Sequence, residues 1–316
     1  MQVEEVDRRT NRVHEAVLVR EVLDALERGL GADPTGVVLD ATVGAGGHAS
    51  AVLARFPRLR VLGCDWDPDS LAEAQRTLAP FGERVELVRA PFAEIEATNA
   101  HREPPVAVVA DLGVCSLHFD RPERGFSLQA DGPLDMRMDP TTDLTAADVV
   151  NGWSENELAD LFHQEGGERK SRRIAAMIVE ERRRVPFKRT QALADAIERV
   201  LGRRGKTHPA TRTFQALRRA VNHEGEQLAS LLAGAEHVLR PGGVLAVITF
   251  HSGEDGVVKR FLACGVREHR FESIGADGVE PTRREVHENA RARSARLRAA
   301  RFVGDGRGRR ATGGDA

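Results

Sequence analysis

The stretch Asp40-Ala41-Thr42-Val43-Gly44-Ala45-Gly46-Gly47-His48 decides the fold of this 316-residue chain. An apolar run leads into it, and a helix-compatible run over 49–55 follows it. A strand that turns on glycines into a helix lets backbone N–H groups approach a ligand without interference from Cβ atoms. A second apolar run ends at Asp65, where a carboxylate can accept hydrogen bonds from ribose hydroxyls. These features together predict a cofactor that contains a nucleoside, and they leave its identity open.

Apolar runs and helical patterns alternate through the first third of the chain, as in a parallel, doubly wound sheet. The pattern predicts strands over 36–40, 60–65, 84–89 and 105–111, and helices over 47–56 and 68–79. A strand pattern returns only at 242–250, and 265–275 and 295–303 are candidates for the closing strands.

Helical patterns fill the interval between the fourth strand and 242–250. A capping box at Ser154 opens one helix, Thr190 is predicted to cap another over 191–201, and further helices are expected over 168–184, 209–222 and 224–239. We therefore predict an α/β fold, a Rossmann-like sheet with an inserted all-helical domain. The predicted boundaries are 12–116 and 209–303 for the two parts of the sheet domain, 117–208 for the helical insert and 304–316 for a disordered Gly/Arg-rich tail.

Composition excludes several classes of protein. No segment approaches the roughly 18 apolar residues of a membrane span, and the N-terminus is not signal-like, so a cytoplasmic location is expected, with no membrane partner. Cys64, Cys115 and Cys264 are far apart and form no CxxC pair, which supports neither a disulfide framework nor a metal site.

The net charge of −2 conceals an asymmetry along the chain. Residues 1–150 hold 15 Arg against 26 acidic residues, whereas residues 151–316 hold 31 Lys and Arg against 22 acidic residues. A polyanion would therefore meet mainly the second half, although arginine-rich helices that simply face solvent would give the same count.

The turn Gly44-x-Gly46-Gly47 lacks the third spacing of a dinucleotide fingerprint, and a purely structural turn is the alternative explanation for it. Two further features favour S-adenosylmethionine as the cofactor. One is the acidic residue at the end of the second strand, in the context Cys64-Asp65-Trp66-Asp67. The other is the run 239–243, Leu-Arg-Pro-Gly-Gly, which resembles the entry to strand five of class I methyltransferases. NAD-dependent reduction would call for a catalytic Tyr or Lys, and the chain has no Tyr.

Several long segments together resemble the MraW/RsmH family, bacterial methyltransferases that act on the exocyclic N4 of a cytosine in 16S ribosomal RNA. The segments that carry the resemblance are His14–Leu18, Asp40–His48, Asp111–Val114, Arg124–Ser127, Asp131–Met138, Pro209–Arg218, Phe250–Ser252 and Asn289–Arg298. The resemblance covers about 12–300 and implies a class I S-adenosylmethionine-dependent sheet with a helical insert, working on the decoding region of the small ribosomal subunit. It leaves the oligomeric state open between monomer and dimer.

The resemblance also implies roles for individual residues. Gly46, Gly47 and His48 would bind the methionyl end of the cofactor. Asp65 would bind its ribose, Phe92 would lie beside its adenine, and Asp111 would lie near the transferable methyl. His118 occupies the position where the family has a glutamine that contacts the cofactor. Arg212, Asn222 and His251 are candidate substrate contacts, the last two with a structural role as the alternative. Independently of the resemblance, the long aperiodic loop 131–138 is a candidate lid, with a packed crossover as the alternative. The basic stretches 182–184, 203–206 and 291–298 are candidate phosphate contacts, with solvated helix faces as the alternative.

Asp111 is also the candidate catalytic residue. Cytosine N4 is a poor nucleophile, and an acceptor for its proton would help it to attack a methyl group. Binding the cofactor or capping the next turn is the alternative role for Asp111.

The chain departs from the family pattern at Cys115, Gly253 and Gly256, where the family has serine, leucine and arginine. The function predicted is N4-methylation of a 16S rRNA cytosine, and the alternative is a divergent paralogue that binds the cofactor but has a different or lost methyl acceptor.

Overall fold

The computed structural model describes residues 16–97, 103–113, 116–203, 205 and 207–304. They form two compact units. The first unit contains the described residues up to Asp65, Ser70–Gly113 and those from Ala229 onward, and the second contains Trp66–Asp69 and those of Val114–Leu228. The motif at His14, Cys115 and the tail beyond Gly304 lie outside the described residues.

The first unit is built on a sheet in which seven strands are described, in the order β3-β2-β1-β4-β5-β7-β6. Strands β1 to β5 are parallel, and β7 runs antiparallel to both β5 and β6. This is a Rossmann-like sheet, as predicted. The strands are β1 (Gly36–Asp40), β2 (Leu59–Asp65), β3 (Val85–Arg89), β4 (Ala107–Asp111), β5 (Val244–Thr249), β6 (Phe271–Ser273) and β7 (Arg296–Phe302).

Helices cover the apolar strands, which explains why β4 and β5 are continuous apolar runs rather than alternating ones. All six residues of β5 are buried, as are the first four of β4. The helices that contain residues of the first unit are α1 (Val19–Leu30), α2 (Gly47–Arg55), α3 (Pro68–Leu78), α10 (Glu224–Val238), α11 (Ser252–Arg267) and α12 (Arg283–Glu288). A core that includes Leu26, Val38, Leu53, Val109 and Ile248 joins the helices to the sheet.

The order of the strands determines where a ligand can bind. From β1 the chain moves outward to β2 and β3, and it then returns to place β4 on the other side of β1. The carboxyl ends of β1 and β4 thus diverge at a topological switch point, where open α/β sheets bind their ligands. Asp40, Asp65 and Asp111 end the strands β1, β2 and β4 at this edge.

The second unit is helical and has its own core. Phe162, Ile174, Leu193, Phe214 and Leu217 are among its buried side chains. This unit extends to Leu228, whereas the predicted insert ended at 208, because α9 packs against α5 and α6. Its helices are α4 (Ser116–Asp120), α5 (Ala146–Gly152), α6 (Glu155–Gln164), α7 (Ser171–Arg182), α8 (Thr190–Leu201) and α9 (Thr211–Val221).

Two helix starts in the second unit contrast with each other. The capping box predicted at Ser154 is present, with Ser154 and Glu157 each bonding the backbone N–H of the other. The cap predicted at Thr190 is wrong: this residue is the first of α8, and its hydroxyl accepts from Gly132 N at 3.0 Å. Asp131 Oδ1 accepts instead from Gln191 N, at 3.2 Å. No helix within the described parts of the chain has the length and apolar character needed to cross a membrane.

Candidate cofactor and methyl-transfer site

The glycine turn after β1 has the backbone that a close approach requires. Gly44 and Gly46 have φ values of 52° and 87°, and Gly46 is the N-cap of α2. A Cβ atom on Gly47 would lie 2.8 Å from Cβ of Ala16. A side chain at these positions would strain or displace the turn, so the turn that begins α2 requires glycine. The backbone N–H groups at the amino end of a helix are suited to binding an anionic group.

Asp65 ties the end of β2 to this turn. Its Oδ2 accepts a hydrogen bond from Gly44 N at 3.0 Å. Phe92 follows β3 at the start of a short 3₁₀-helix and is half-buried. The first unit therefore brings the glycine turn and Asp65 together, as the sequence predicted, and it places Phe92 after the next strand end of the same edge.

Asp111 is held at the end of β4 by contacts from the first strand and its turn. Its backbone N–H donates to Thr42 Oγ1 at 2.6 Å, and its Oδ2 lies 3.7 Å from His48 Nδ1. Its Oδ1 is buried and has no hydrogen-bond partner among the described residues. A shielded carboxylate oxygen without a partner is costly, and such an oxygen is a feature of a site that receives a ligand.

The hydrogen bond of His48 fixes which of its nitrogens faces Asp111. Nε2 lies 2.9 Å from the carbonyl oxygen of Val17, a group that can only accept, so we assign the proton to Nε2. Burial lowers the pKa of His48, with opposing charges on Asp40 and Glu285. The neutral ring therefore turns the lone pair of Nδ1 toward Asp111.

Two carboxylic acids at this edge have strongly raised pKa values. Burial raises the pKa of Asp111 to about 7, and the charge of Glu254 adds to the effect. Burial likewise raises the pKa of Asp40 to about 7, with an opposing effect of His48 and further increases from Asp111 and Asp65. Acids that titrate near neutrality at a strand end are candidates for proton chemistry.

His251 lies at the start of α11, where it acts as a helix cap. Its Nδ1 accepts from Glu254 N at 3.2 Å, and Glu254 Oε2 accepts in turn from Phe250 N at 3.0 Å. These contacts give His251 the structural role that the sequence left open beside a substrate contact. About a third of its side chain is exposed.

His118 belongs to the second unit, where it is almost completely buried. Its Nε2 lies 2.7 Å from Oδ2 of the fully buried Asp67, and its ring lies 4.8 Å from that of Phe126. Its Nδ1 is shielded and has no hydrogen-bond partner among the described residues. Asp67 also accepts from Arg124 at 3.2 Å, so a buried acid joins a histidine to an arginine.

Two side chains hold the loop that contains Asp131–Met138. Arg124 donates to the carbonyl oxygens of Arg137 and Met138 at 3.0 and 2.8 Å. Asn222 accepts from Met138 N and donates to the oxygens of Met136 and Arg218, each at 2.8 Å. Both amide hydrogens of Asn222 are used and the side chain is buried, so the structure assigns it to holding the loop rather than to contacting substrate.

Some of the basic side chains predicted to meet phosphate are committed elsewhere. Arg182 donates to the carbonyl oxygens of Val150 and Trp153 at 2.7 and 2.6 Å. Arg298 is 3% exposed and is paired with Asp255 and Asp277. For these two arginines the prediction is wrong.

Arg212 and Arg293 are exposed, as a phosphate contact requires. Arg212 makes one long hydrogen bond, of 3.3 Å, to the oxygen of Gly167. The side chains of Arg204 and Lys206 lie outside the described residues.

The departures at Gly253 and Gly256 both fall in the first turns of α11. A Cβ atom on Gly256 would lie 3.2 Å from Nη1 of Arg260, one turn further along. A guanidinium therefore lies beside the position where the family carries an arginine.

Sequence reasoning missed Asp40, Thr42, Asp67 and Arg124. Asp40 and Thr42 lie within the glycine-turn motif, and their position at a strand end was the available signal. Asp67 and Arg124 are separated by 57 residues and leave no local pattern.

The first unit fits S-adenosylmethionine in three respects. It has a helix start that begins on Gly46 and Gly47, a carboxylate fixed beside the turn by Gly44, and a shielded acidic oxygen without a partner at the end of β4. This molecule carries an amino acid group, a ribose and a positive sulfonium, for which these groups are suitable partners.

Comparison with known proteins identifies the family. The model of the MraW methylase family matches residues 11–303. A ribosomal RNA small subunit methyltransferase H from Synechococcus elongatus is 44% identical, with 92% of this chain and 95% of the relative aligned. The protein of the same name from Sorangium cellulosum is 47% identical, with 92% of this chain and 91% of the relative aligned.

Among solved structures, an rRNA methylase from Streptococcus thermophilus aligns with 90% of this chain and 96% of its own, at 12% identity and a TM-score of 0.43. This likeness is too distant to bear on function. The chain belongs to the MraW methylase family.

Proposed function

We propose that this protein transfers a methyl group from S-adenosylmethionine to N4 of a cytosine in 16S ribosomal RNA, the RNA of the small ribosomal subunit. The observation that carries the proposal is the meeting of the glycine turn, Asp65 and Asp111 at one sheet edge, in a chain that matches the MraW family over nearly its whole length. Relatives named for small-subunit rRNA methylation support the choice of RNA as the substrate.

In this proposal the glycine turn and the strand ends bind the cofactor. Gly46, Gly47 and His48 would bind its methionyl end at the start of α2. Asp65 would bind the ribose hydroxyls, and Phe92 would lie beside the adenine. His118, in the second unit, stays a proposed cofactor contact that rests on the family position alone. When bound, the cofactor supplies an electrophilic methyl group on a positively charged sulfur.

Asp111 has the properties of a proton acceptor for the target amine. Its unpartnered Oδ1 can accept from N4–H, which directs the nitrogen lone pair away from the ring and toward the methyl group. A pKa raised to about 7 by burial lets the carboxylate take the proton that the amine must lose. His48 Nδ1, 3.7 Å from Oδ2, then offers a lone pair to the protonated acid.

The second unit supplies exposed arginines for the RNA backbone, and we propose Arg212 as one of them. The target base must be unpaired or extruded to reach the acceptor at the end of β4. An enzyme of the small subunit works where ribosomes are made, so we place it in the cytoplasm. Nothing in this proposal requires a dimer.

A divergent paralogue with a different methyl acceptor is the second candidate, and the loss of an arginine at Gly256 is the observation that favours it. Arg260 weakens this alternative, because its guanidinium lies beside the same position of α11. Substrate identity, rather than cofactor binding, separates the two candidates.

The deciding experiment incubates the purified protein with radiolabelled S-adenosylmethionine and small subunits from a strain that lacks its own N4-methyltransferase. Nucleoside mass spectrometry then locates the label. Label at N4 of one 16S cytosine, lost in Asp111→Asn, is the expected result. Cofactor binding without label on subunits or free rRNA would favour the paralogue.

A further inference from the structure

The carboxylates at the switch point form a group in which one shielded oxygen lacks a partner. Asp111 Oδ1 is that oxygen, and its neighbours give it little compensation for burial. His48 Nδ1, 3.7 Å from Oδ2, turns a lone pair and not a proton toward it. Ionised Asp111 therefore has no cation among the described side chains that contact it.

We propose that Asp111 is a proton-linked counterion that makes the site prefer the cationic cofactor, S-adenosylmethionine, over its neutral product, S-adenosylhomocysteine. The inference rests on the proposed function, since it assumes that the cofactor's sulfur lies near Asp111. It adds a basis for releasing product, because methyl transfer removes the positive charge from that sulfur.

The proton balance follows from the groups that face Asp111. Asp40 ends the neighbouring strand β1, Glu254 lies at the start of α11, and His48 lies on α2. Burial raises the pKa of Asp111 to about 7, so the cofactor-free site holds a proton near neutral pH more readily than an exposed aspartate does. A bound sulfonium favours the carboxylate, and the proton leaves to the buffer. A bound thioether carries no charge and leaves the proton in place.

Calorimetric titration at pH 7 measures this proton directly. Each ligand is titrated in phosphate and in Tris, and the difference in apparent enthalpy gives the number of protons released on binding. S-adenosylmethionine is expected to release a measurable fraction of a proton, and S-adenosylhomocysteine close to none. Sinefungin, which carries an ammonium at the position of the transferable methyl, tests whether charge or shape is sensed and is expected to release a proton too.

Two variants distinguish the effect of Asp111 itself from the effect of the charge on Glu254. Asp111→Asn should abolish the proton release and reduce the preference for S-adenosylmethionine over S-adenosylhomocysteine about tenfold. Glu254→Gln keeps an acceptor for Phe250 N but removes the charge that raises the pKa of Asp111, so its proton release should shift to lower pH. If Asp111→Asn does not fold, the wild-type comparison of the three ligands is sufficient to decide.

The outcomes are distinguishable from those of the methylation assay. Equal proton counts for the cationic and neutral ligands, with both bound, would overturn the counterion role and leave the proposed function intact. Failure of S-adenosylmethionine to bind at all would overturn the proposed function and, with it, this inference.

Discussion

Nε2 of His118 lies 2.7 Å from Oδ2 of Asp67, and both side chains are almost fully buried in the second unit. Arg124 binds the same carboxylate and also the backbone of the loop at Met138. A buried acid with two partners of potential positive charge is stable as long as it stays ionised. His118, which replaces the family's glutamine, is therefore also part of the interior of the helical unit.

The first prediction concerns acid stability. Burial favours the neutral acid, but the hydrogen bond and charge of His118 and the charge of Arg124 outweigh it and lower the pKa of Asp67 to about 2. The pKa is lower in the folded than in the unfolded chain, so the stabilisation is complete above pH 3.8 and is lost as pH falls toward 2. Asp67→Asn should lower the free energy of unfolding at pH 7 by about 2 kcal/mol.

Urea unfolding at pH 7 and at pH values from 4 to 2 tests this prediction, with Asp69→Asn as the matched control. Asp69 is paired with the same arginine at 2.9 Å but is 40% exposed, so its loss should cost less than about 1 kcal/mol. Equal decreases in the free energy of unfolding of the two variants would show that the burial of Asp67 does not increase its contribution to stability.

The second prediction separates the cofactor from the RNA. Asp65→Ala removes the carboxylate beside Gly44 and should weaken binding of S-adenosylmethionine at least about tenfold, with loss of methyl transfer. Arg212→Ala removes an exposed guanidinium and should leave cofactor affinity unchanged while methylation of small subunits falls. Calorimetry and the subunit assay are the two measurements. An equal fall in cofactor affinity in both variants would contradict this division.

The central strands β4 and β5 were predictable from sequence because they are buried on both faces, so they contain the continuous apolar runs 107–110 and 244–248. The glycine turn and Asp65 were predictable because a strand end, a turn and a helix start follow one another along the chain. The roles that the sequence could not supply depend on distant partners. Thr190 is of a residue type that commonly caps helices, yet the backbone N–H of Gln191 donates to Asp131, which lies 60 residues earlier in the sequence.

The same reasoning explains the charged residues. A run of arginines predicts a solvated or phosphate-binding face. No local sequence pattern indicates that Arg182 donates hydrogen bonds to the carbonyl oxygens of Val150 and Trp153. The pairing of His118 with Asp67 joins residues 51 apart and is equally invisible to periodicity.

The third prediction is that the functional acid destabilises the cofactor-free protein at high pH. Burial raises the pKa of Asp111 from 3.8 to about 7, so the folded chain holds this proton more tightly than the unfolded chain. The resulting stabilisation is present below pH 3.8 and is lost as pH rises toward 7. Asparagine carries no charge to bury. Asp111→Asn should therefore be more stable than wild type at pH 8, by on the order of 2 kcal/mol, and about equal at pH 4. Thermal unfolding without cofactor measures this, and a variant less stable at both pH values would refute it.

The fourth prediction uses two arginines of the same basic stretch with opposite environments. Arg293 is exposed, whereas Arg298 in β7 is buried between Asp255 and Asp277. If the stretch meets RNA, Arg293→Ala should weaken RNA binding and reduce the slope of log K against log salt by about 1, with stability unchanged. Arg298→Ala should leave that slope unchanged and lower the free energy of unfolding by about 3 kcal/mol, because Asp255 loses a buried partner. Filter binding over a salt series and urea unfolding measure both quantities in both variants. A reduced salt slope in Arg298→Ala would mean that the buried arginine reaches the RNA after all, and an unchanged slope in Arg293→Ala would remove this stretch from the RNA-binding surface.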